Sequence, residues 1–340
     1  ARGGEKQFYD TVYLYEDPAS VHHRWEVAGH LPRPAAYGVS VTTPQGVVCA
    51  GGYDGLHSLS TVCLLNISHG QLQTTTLPQL PVALDNMAGA YGEGYVYVAG
   101  GQSDGRASHK AFRLKLQGGK SWEALPDYPG AARLQPAAAM QSDATGPCFY
   151  LMGGYAPAEG GKRAEMHRNG LIYNPRTKSW RTTADIIPQG ETTPHAISGA
   201  TCVVSGCAHI VFFGGVNADI FLPAVNRSLD LADAIAAGDS AQAARLRREA
   251  AEYLLHHASW YHFNDELIIY HTLTDTWVTE SHSPCLARAG AMAVNAGKEW
   301  IIVGGETKPG IRSAEVNAVH MGVRIEFGML NWLVLLLYLA

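Results

Sequence analysis

Five times along this chain of 340 residues, a short apolar run ends in a Gly-Gly pair. The pairs are Gly51-Gly52, Gly100-Gly101, Gly153-Gly154, Gly214-Gly215 and Gly304-Gly305, and their first glycines lie 49, 53, 61 and 90 residues apart. A repeat of about 50 residues is the period of a kelch-type blade. Each run reads as the second strand of a four-stranded sheet, closed by a turn where the backbone needs positive φ or a close approach. A strand, usually a Trp, and then a Pro-containing turn follow each pair. Trp25 leads to Pro32, Trp122 to Pro126, Trp180 to Pro188 and Trp277 to Pro284, while Leu72 takes the Trp position before Pro78. These read as outer strands whose indoles pack between blades.

The strands between the Gly-Gly and Trp elements can be counted separately. They are expected at Thr11–Tyr15 and at 61–65, 111–116, 171–174, 267–270 and 314–320. That gives six third strands against five second and five fourth strands. The chain opens and closes on a third strand, so its two ends cannot be halves of one blade. The expected fold is therefore all-β: a six-bladed kelch β-propeller over residues 1–321, cut at both ends. Four blades are complete, one lacks its inner pair and one lacks its outer strand. The gap of 90 residues holds two Ala/Leu/Arg/Glu-rich segments, 228–237 and 240–257, separated by Gly238. Leu246, Ala250, Tyr253, Leu254 and His257 fall on one helical face, which predicts a helical hairpin inserted into a blade over one channel mouth.

Composition excludes some functions. A net charge of −5 gives no basic footprint for nucleic acid. The 37 glycines and 17 prolines sit in a chain that is 46% apolar, which reads as a turn-rich core and not as disorder. None of the six cysteines has C-x-x-C spacing, so buried free thiols are expected and no metal knuckle. The run 327–340 is almost wholly apolar. It is shorter than the ~20 residues of a membrane span. With the linker before it (322–340 together), it is expected to open a transmembrane helix.

Propellers bind ligands where inner-strand ends and loops converge on the channel mouth. Among the post-Gly-Gly segments, that from Glu306 to Arg312 carries an ionic pair across a Pro309-Gly310 turn. An exposed salt bridge of little energetic value is the competing reading. Asn217 follows another Gly-Gly pair. Tyr37, Arg133, Gln135 and Arg288 precede inner strands and are candidates to face the channel, with a structural role as the favoured competing reading. His256, His257 and His262 cluster in sequence, but the helical pattern assigns them to surface or packing, so no metal is expected.

Gly214-Gly-Val-Asn-Ala-Asp-Ile-Phe221 followed by helices resembles the bacterial sialic acid mutarotases, the N-acetylneuraminate epimerases. So do Trp300-Ile-Ile-Val-Gly-Gly-Glu-Thr-Lys-Pro-Gly-Ile-Arg312 and Ala36-Tyr-Gly-Val-Ser40. The weaker kelch pattern spans 10–321. The resemblance implies an isomerase without a cofactor, with Glu306 and Arg312 as the catalytic pair and an acidic sugar as substrate. The blade at 36–40 is similar to the family's last blade yet comes early here, as in its cyclically permuted branch. That branch implies a following sodium/solute symporter, with the propeller periplasmic at the bacterial inner membrane. The alternative is a non-enzymatic kelch module that binds carbohydrate or protein beside a transporter. A sialidase is disfavoured because no Ser-X-Asp-X-Gly-X-X-Trp box occurs, and a copper oxidase because no Tyr, Cys and His ligand cluster can be assembled.

Overall fold

A computed structural model describes residues 6–15, 25–297, 299–320 and 338. Apart from Tyr338, the apolar run 327–340 lies outside the described residues. Among those that are described, no helix is long and apolar enough to cross a membrane.

The chain is mostly β and forms a propeller-like ring. Five antiparallel sheets stand around a common channel, each contributing one innermost strand: Val39–Thr43, Asp85–Gly92, Ala137–Asp143, Thr201–Ser205 and Met292–Asn295. The first, third and fourth sheets have four strands in sequence order; the second is similar but adds a short hairpin strand, Arg106–Ala107. The fifth has three strands, ending at Val316–Val319. A separate pair, Thr11–Tyr15 with Trp25–His30, lies beside the outer strand of the first sheet, Gln71–Thr76. The third strands fall at Val62–Ser68, Ala111–Lys115, Gly170–Asn174, Glu266–His271 and Val316–Val319, within three residues of the sequence spacing.

The Gly-Gly pairs are in the positive-φ region throughout, as the turn requires. At two of them the steric reason is explicit. A Cβ on Gly101 would come within 2.2 Å of the Asp85 carbonyl oxygen, and one on Gly214 within 2.1 Å of the Arg288 carbonyl oxygen. Backbone therefore approaches backbone, within the second sheet at Gly101 and between the fourth and fifth sheets at Gly214.

The hydrophobic core is a set of slabs between neighbouring sheets. Val48, Val62, Leu84, Val98 and Phe112 fill the slab between the first and second. Tyr97, Ala99, Phe149, Leu151 and Tyr173 fill the next. Tyr150, Met152, Ile210, Phe212, Tyr270 and Trp277 form the third, and Val211, Phe213, Leu267, Trp300 and Ile302 the fourth. Alternation places these side chains: along Ala137–Asp143, Ala137 and Ala139 join the third slab, while Ala138 and Met140 pack against the second. The outer-strand indoles also hydrogen-bond across the seams. Trp122 Nε1 donates to the Pro78 carbonyl at 2.8 Å, Trp180 to Pro126 at 2.8 Å and Trp277 to Ala184 at 3.3 Å. Leu72, which has no such donor, packs against Gly29.

Two helices interrupt the fourth sheet: α1 (Ala218–Ala236) and α2 (Ser240–Glu252). They pack through Leu231, Ala234, Ala243 and Leu246. The extents differ from those expected at 228–237 and 240–257. Helix α1 starts ten residues earlier because the Asn217 side chain caps it and Asp219 sits in its first turn. Pro223 inside the helix removes one backbone donor and obscures that start in the sequence. Helix α2 ends at Glu252, and the chain continues through single tight turns at Tyr253–Leu255 and Ala258–Tyr261. Leu254 is exposed and is not on a buried face.

Candidate functional site

A cavity of about 750 Å³ occupies the channel mouth. Its floor and sides are the five innermost strands. α1 and the segment after α2 contribute an apolar wall of Ile220, Phe221, Tyr253, Tyr261 and Phe263. Glu306, Pro309 and Arg312 line the cavity as well.

The polar side is organised by a repeated backbone device. Tyr37, Gln135, Gly199 and Gly290 each precede an innermost strand, Asn86 is the second residue of one, and all five have positive φ, between 51° and 71°. Their main chains form a chain of hydrogen bonds around the mouth. The N–H of Asn86 donates to the Tyr37 carbonyl at 2.8 Å, Gln135 to Asn86 at 2.9 Å, Gly199 to Gln135 at 2.9 Å and Gly290 to Gly199 at 2.7 Å. Three of these five positions carry side chains in a conformation that suits glycine. All three, Tyr37, Asn86 and Gln135, line the cavity. Gln135 Nε2 also donates to Asn86 Oδ1 at 3.3 Å. Asn86 is fixed from behind, since its Nδ2 donates at 2.6 Å to the buried carboxylate of Asp85. Backbone strain retained by polar side chains at a cavity marks a ligand-facing position.

Glu306 and Arg312 face each other on a small hairpin, Glu306–Lys308 paired with Ile311–Arg312. Gly310, with φ +78°, makes the turn. The Glu306 backbone exchanges hydrogen bonds with Ala289 at 2.7 and 3.0 Å, which fastens the hairpin beside the last innermost strand. Arg312 Nη2 lies 3.4 Å from Glu306 Oε1, and Gly310 N–H donates to Glu306 Oε2 at 3.3 Å. The Glu306 side chain is 27% exposed and that of Arg312 60%. The guanidinium also stands 5.9 Å from the Tyr37 ring centroid, and Lys6 Nζ donates to Tyr37 Oη at 3.1 Å. A carboxylate able to accept a proton and a cation able to hold an anion thus share one wall.

Asn217 also lines the cavity. Its Oδ1 accepts from the Asp219 N–H at 3.0 Å as the α1 cap, which leaves the amide nitrogen for a ligand. Arg133 and Arg288 are not among the lining residues. Both are 3% exposed and brace Gly-Gly turns. Arg133 Nη1 donates to the carbonyls of Gly153 and Asn169 at 2.8 Å, and its Nη2 to Asn169 Oδ1 at 2.6 Å. Burial pushes its guanidinium down to about 10. Arg288 Nη1 donates to Gly304 O, and its Nη2 to Glu315 Oε2, both at 2.9 Å. Each lies two residues before the positive-φ position of its blade, so the proximity to inner strands is real but the side chains turn away from the channel.

Asn86 escaped the sequence reading, although it lies 49 residues after Tyr37 and 49 before Gln135. That spacing was a sufficient signal. The aromatic wall had no comparable one, because it depends on how the segment after α2 folds back. The three histidines near it do not converge. His256 stacks on Trp260 at 3.9 Å, His257 Nδ1 accepts from the Ser259 N–H at 3.3 Å, and His262 takes a left-handed turn with φ +44°. Among the described residues, one group has metal-like donors in proximity, Asp265, Glu266 and His282, and it lies outside the cavity.

The sequence of residues 77–333 matches the family model for N-acetylneuraminate epimerase. An N-acetylneuraminate epimerase of Haemophilus influenzae strain PittEE is 30% identical over 246 residues, covering 71% of this chain and 58% of the relative. One from Salmonella paratyphi B is 28% identical over 257 residues, covering 75% and 61%. The chain thus spans about three fifths of the length of the curated relatives it matches. Among solved structures, that of YjhT superposes with a TM-score of 0.57 at 27% identity, over 73% of this chain and 68% of the other.

Proposed function

Since the chain belongs to the N-acetylneuraminate epimerase family, we propose that it is a sugar mutarotase that interconverts the α and β anomers of N-acetylneuraminate. The observation that carries this reading is the Glu306–Arg312 pair, 3.4 Å apart on the wall of a cavity large enough for a nine-carbon sugar. Anomers of a cyclic hemiketal exchange through the open-chain ketone. Glu306 takes the proton of the anomeric hydroxyl, and that oxygen's electron pair forms the carbonyl as the bond from the anomeric carbon to the ring oxygen breaks. Glu306 hands that proton to the departing ring oxygen, the carbonyl turns its other face, and the same steps reverse. General acid–base catalysis of this type contributes about 10²–10⁴-fold. Arg312 pairs with the sugar carboxylate, a match for a planar guanidinium. Tyr37, Asn86, Gln135 and Asn217 hydrogen-bond the remaining hydroxyl and amide groups, and the aromatic wall excludes water.

The reading extends to the larger molecule. Six blades are proposed, the sixth beginning with the pair Thr11–Tyr15 and Trp25–His30. A cyclically permuted order is supported by the family match starting at residue 77, after the blade that bears Tyr37. Attachment to a membrane and to a symporter, with the propeller on the extracytoplasmic side in support of uptake, is proposed from the apolar run 327–340. The test of the activity uses the full-length protein. Sialidase releases the α anomer, and one-dimensional proton NMR follows its conversion to β. Acceleration over buffer at micromolar protein supports the mutarotase. An unchanged rate, with sugar binding still detectable, means a binding module without catalysis.

A further inference from the structure

We infer that Lys308 is a positioning residue, which ties the hairpin bearing Glu306 and Arg312 to the aromatic segment that closes the cavity. Lys308 lies inside that hairpin, and its amine bonds to the segment after α2. Lys308 Nζ donates to the carbonyl oxygens of Leu254 at 3.1 Å and His256 at 2.7 Å. These carbonyls end the turn that follows α2, where helical carbonyl groups lose their intrahelical partners. A lysine at such an end satisfies them and complements the local dipole.

The segment needs this tether because its tip is poorly packed. Leu254 is 55% exposed and Leu255 78%. Yet its neighbours form the cavity's apolar wall. Tyr253 and Tyr261 stand edge to face at 5.5 Å, the Tyr261 hydroxyl donates to the Tyr253 carbonyl, and both rings line the cavity with Phe263. The far end of the segment is held independently. Asn264 N–H donates to the Gly215 carbonyl at 3.0 Å, and its Nδ2 to the Ala196 carbonyl at 2.8 Å. Lys308 thus fixes the near end to the residues that face the ligand. Removing it frees the wall from the pair without touching either.

The kinetic arm of the test rests on the mutarotase reading; the exchange arm does not. Lys308→Met and Lys308→Arg are made in the full-length protein. Hydrogen exchange of the peptide spanning 253–263 is measured together with KM and kcat for anomer exchange by NMR. Lys308→Met should speed exchange there and raise KM, each by about tenfold, the effect of losing a hydrogen bond from a charged donor. The melting temperature and kcat should stay near those of the parent, and Lys308→Arg should recover both readouts. Lys308→Met with unchanged exchange, or with faster exchange and unaltered KM, overturns the inference. If the parent itself accelerates nothing, the mutarotase reading fails, and the exchange arm alone decides whether the tether exists.

Discussion

At the scale of the residue, the site combines strain with chemistry. Tyr37, Asn86 and Gln135 hold left-handed backbone that glycine takes without cost, and the equivalent positions in the next two blades are Gly199 and Gly290. Replacing Gln135 by Gly should therefore raise stability by about 0.5–1 kcal/mol, since a side chain at such φ destabilises by that order. The same change should weaken sugar binding, and urea melts with a binding titration separate the two effects. A less stable Gln135→Gly protein would show that the side chain is there for the fold. The sequence made Glu306 and Arg312 legible because a Pro-Gly turn forces them together. It could not separate Gln135 from Arg133. Both precede the same inner strand, and which one faces the channel depends on a backbone angle that no spacing encodes.

At the scale of the element, indoles at the outer edges of the second, third and fourth sheets fix each to its neighbour. Trp277 is almost fully buried, packs on Phe212 and Tyr270 and reaches the Ala184 carbonyl across the seam. Trp277→Ala should cost about 3–5 kcal/mol, as for other large core truncations. A chemical melt measures it, and a loss under 1 kcal/mol would mean that the seam is not where the blades are held. The blade pattern was readable because every Gly-Gly turn holds both residues at positive φ, a conformation that L side chains rarely adopt. The start of α1 was not, because its cap, Asn217, and its internal Pro223 send opposite signals. The segment after α2 was unreadable for a different reason: tertiary hydrogen bonds to Lys308 and Asn264 shape it, and its own periodicity does not.

At the scale of the whole molecule, stability should depend on pH through a half-buried histidine, His167. His167 Nε2 lies 2.9 Å from the Ala132 carbonyl. Burial, and then the charge of Arg133, lower it from 6.5 to about 4. Its folded value is thus below its unfolded one, so the unfolded chain takes up the proton first. The contribution is fully present above pH 6.5 and is lost as pH falls through 4. The parent's melting temperature should drop over that window, and His167→Gln should flatten the slope. Equal slopes would place the acid sensitivity elsewhere. The ring of blades was legible from the repeat alone. The expected sixth blade is not among the sheets of the described residues, where five surround the channel and the pair Thr11–Tyr15 and Trp25–His30 stands beside the first.

The central claim is that Glu306 carries the proton, and Glu306→Gln in the full-length protein tests it most directly. The substitution preserves shape and one hydrogen-bonding edge while removing the base. With α-N-acetylneuraminate released by sialidase and the anomers followed by proton NMR, the variant should relax near the uncatalysed rate, a loss of about 10²-fold or more, while still binding the sugar. Relaxation as fast as in the parent would contradict the account and leave Glu306 as a residue that merely shapes its hairpin.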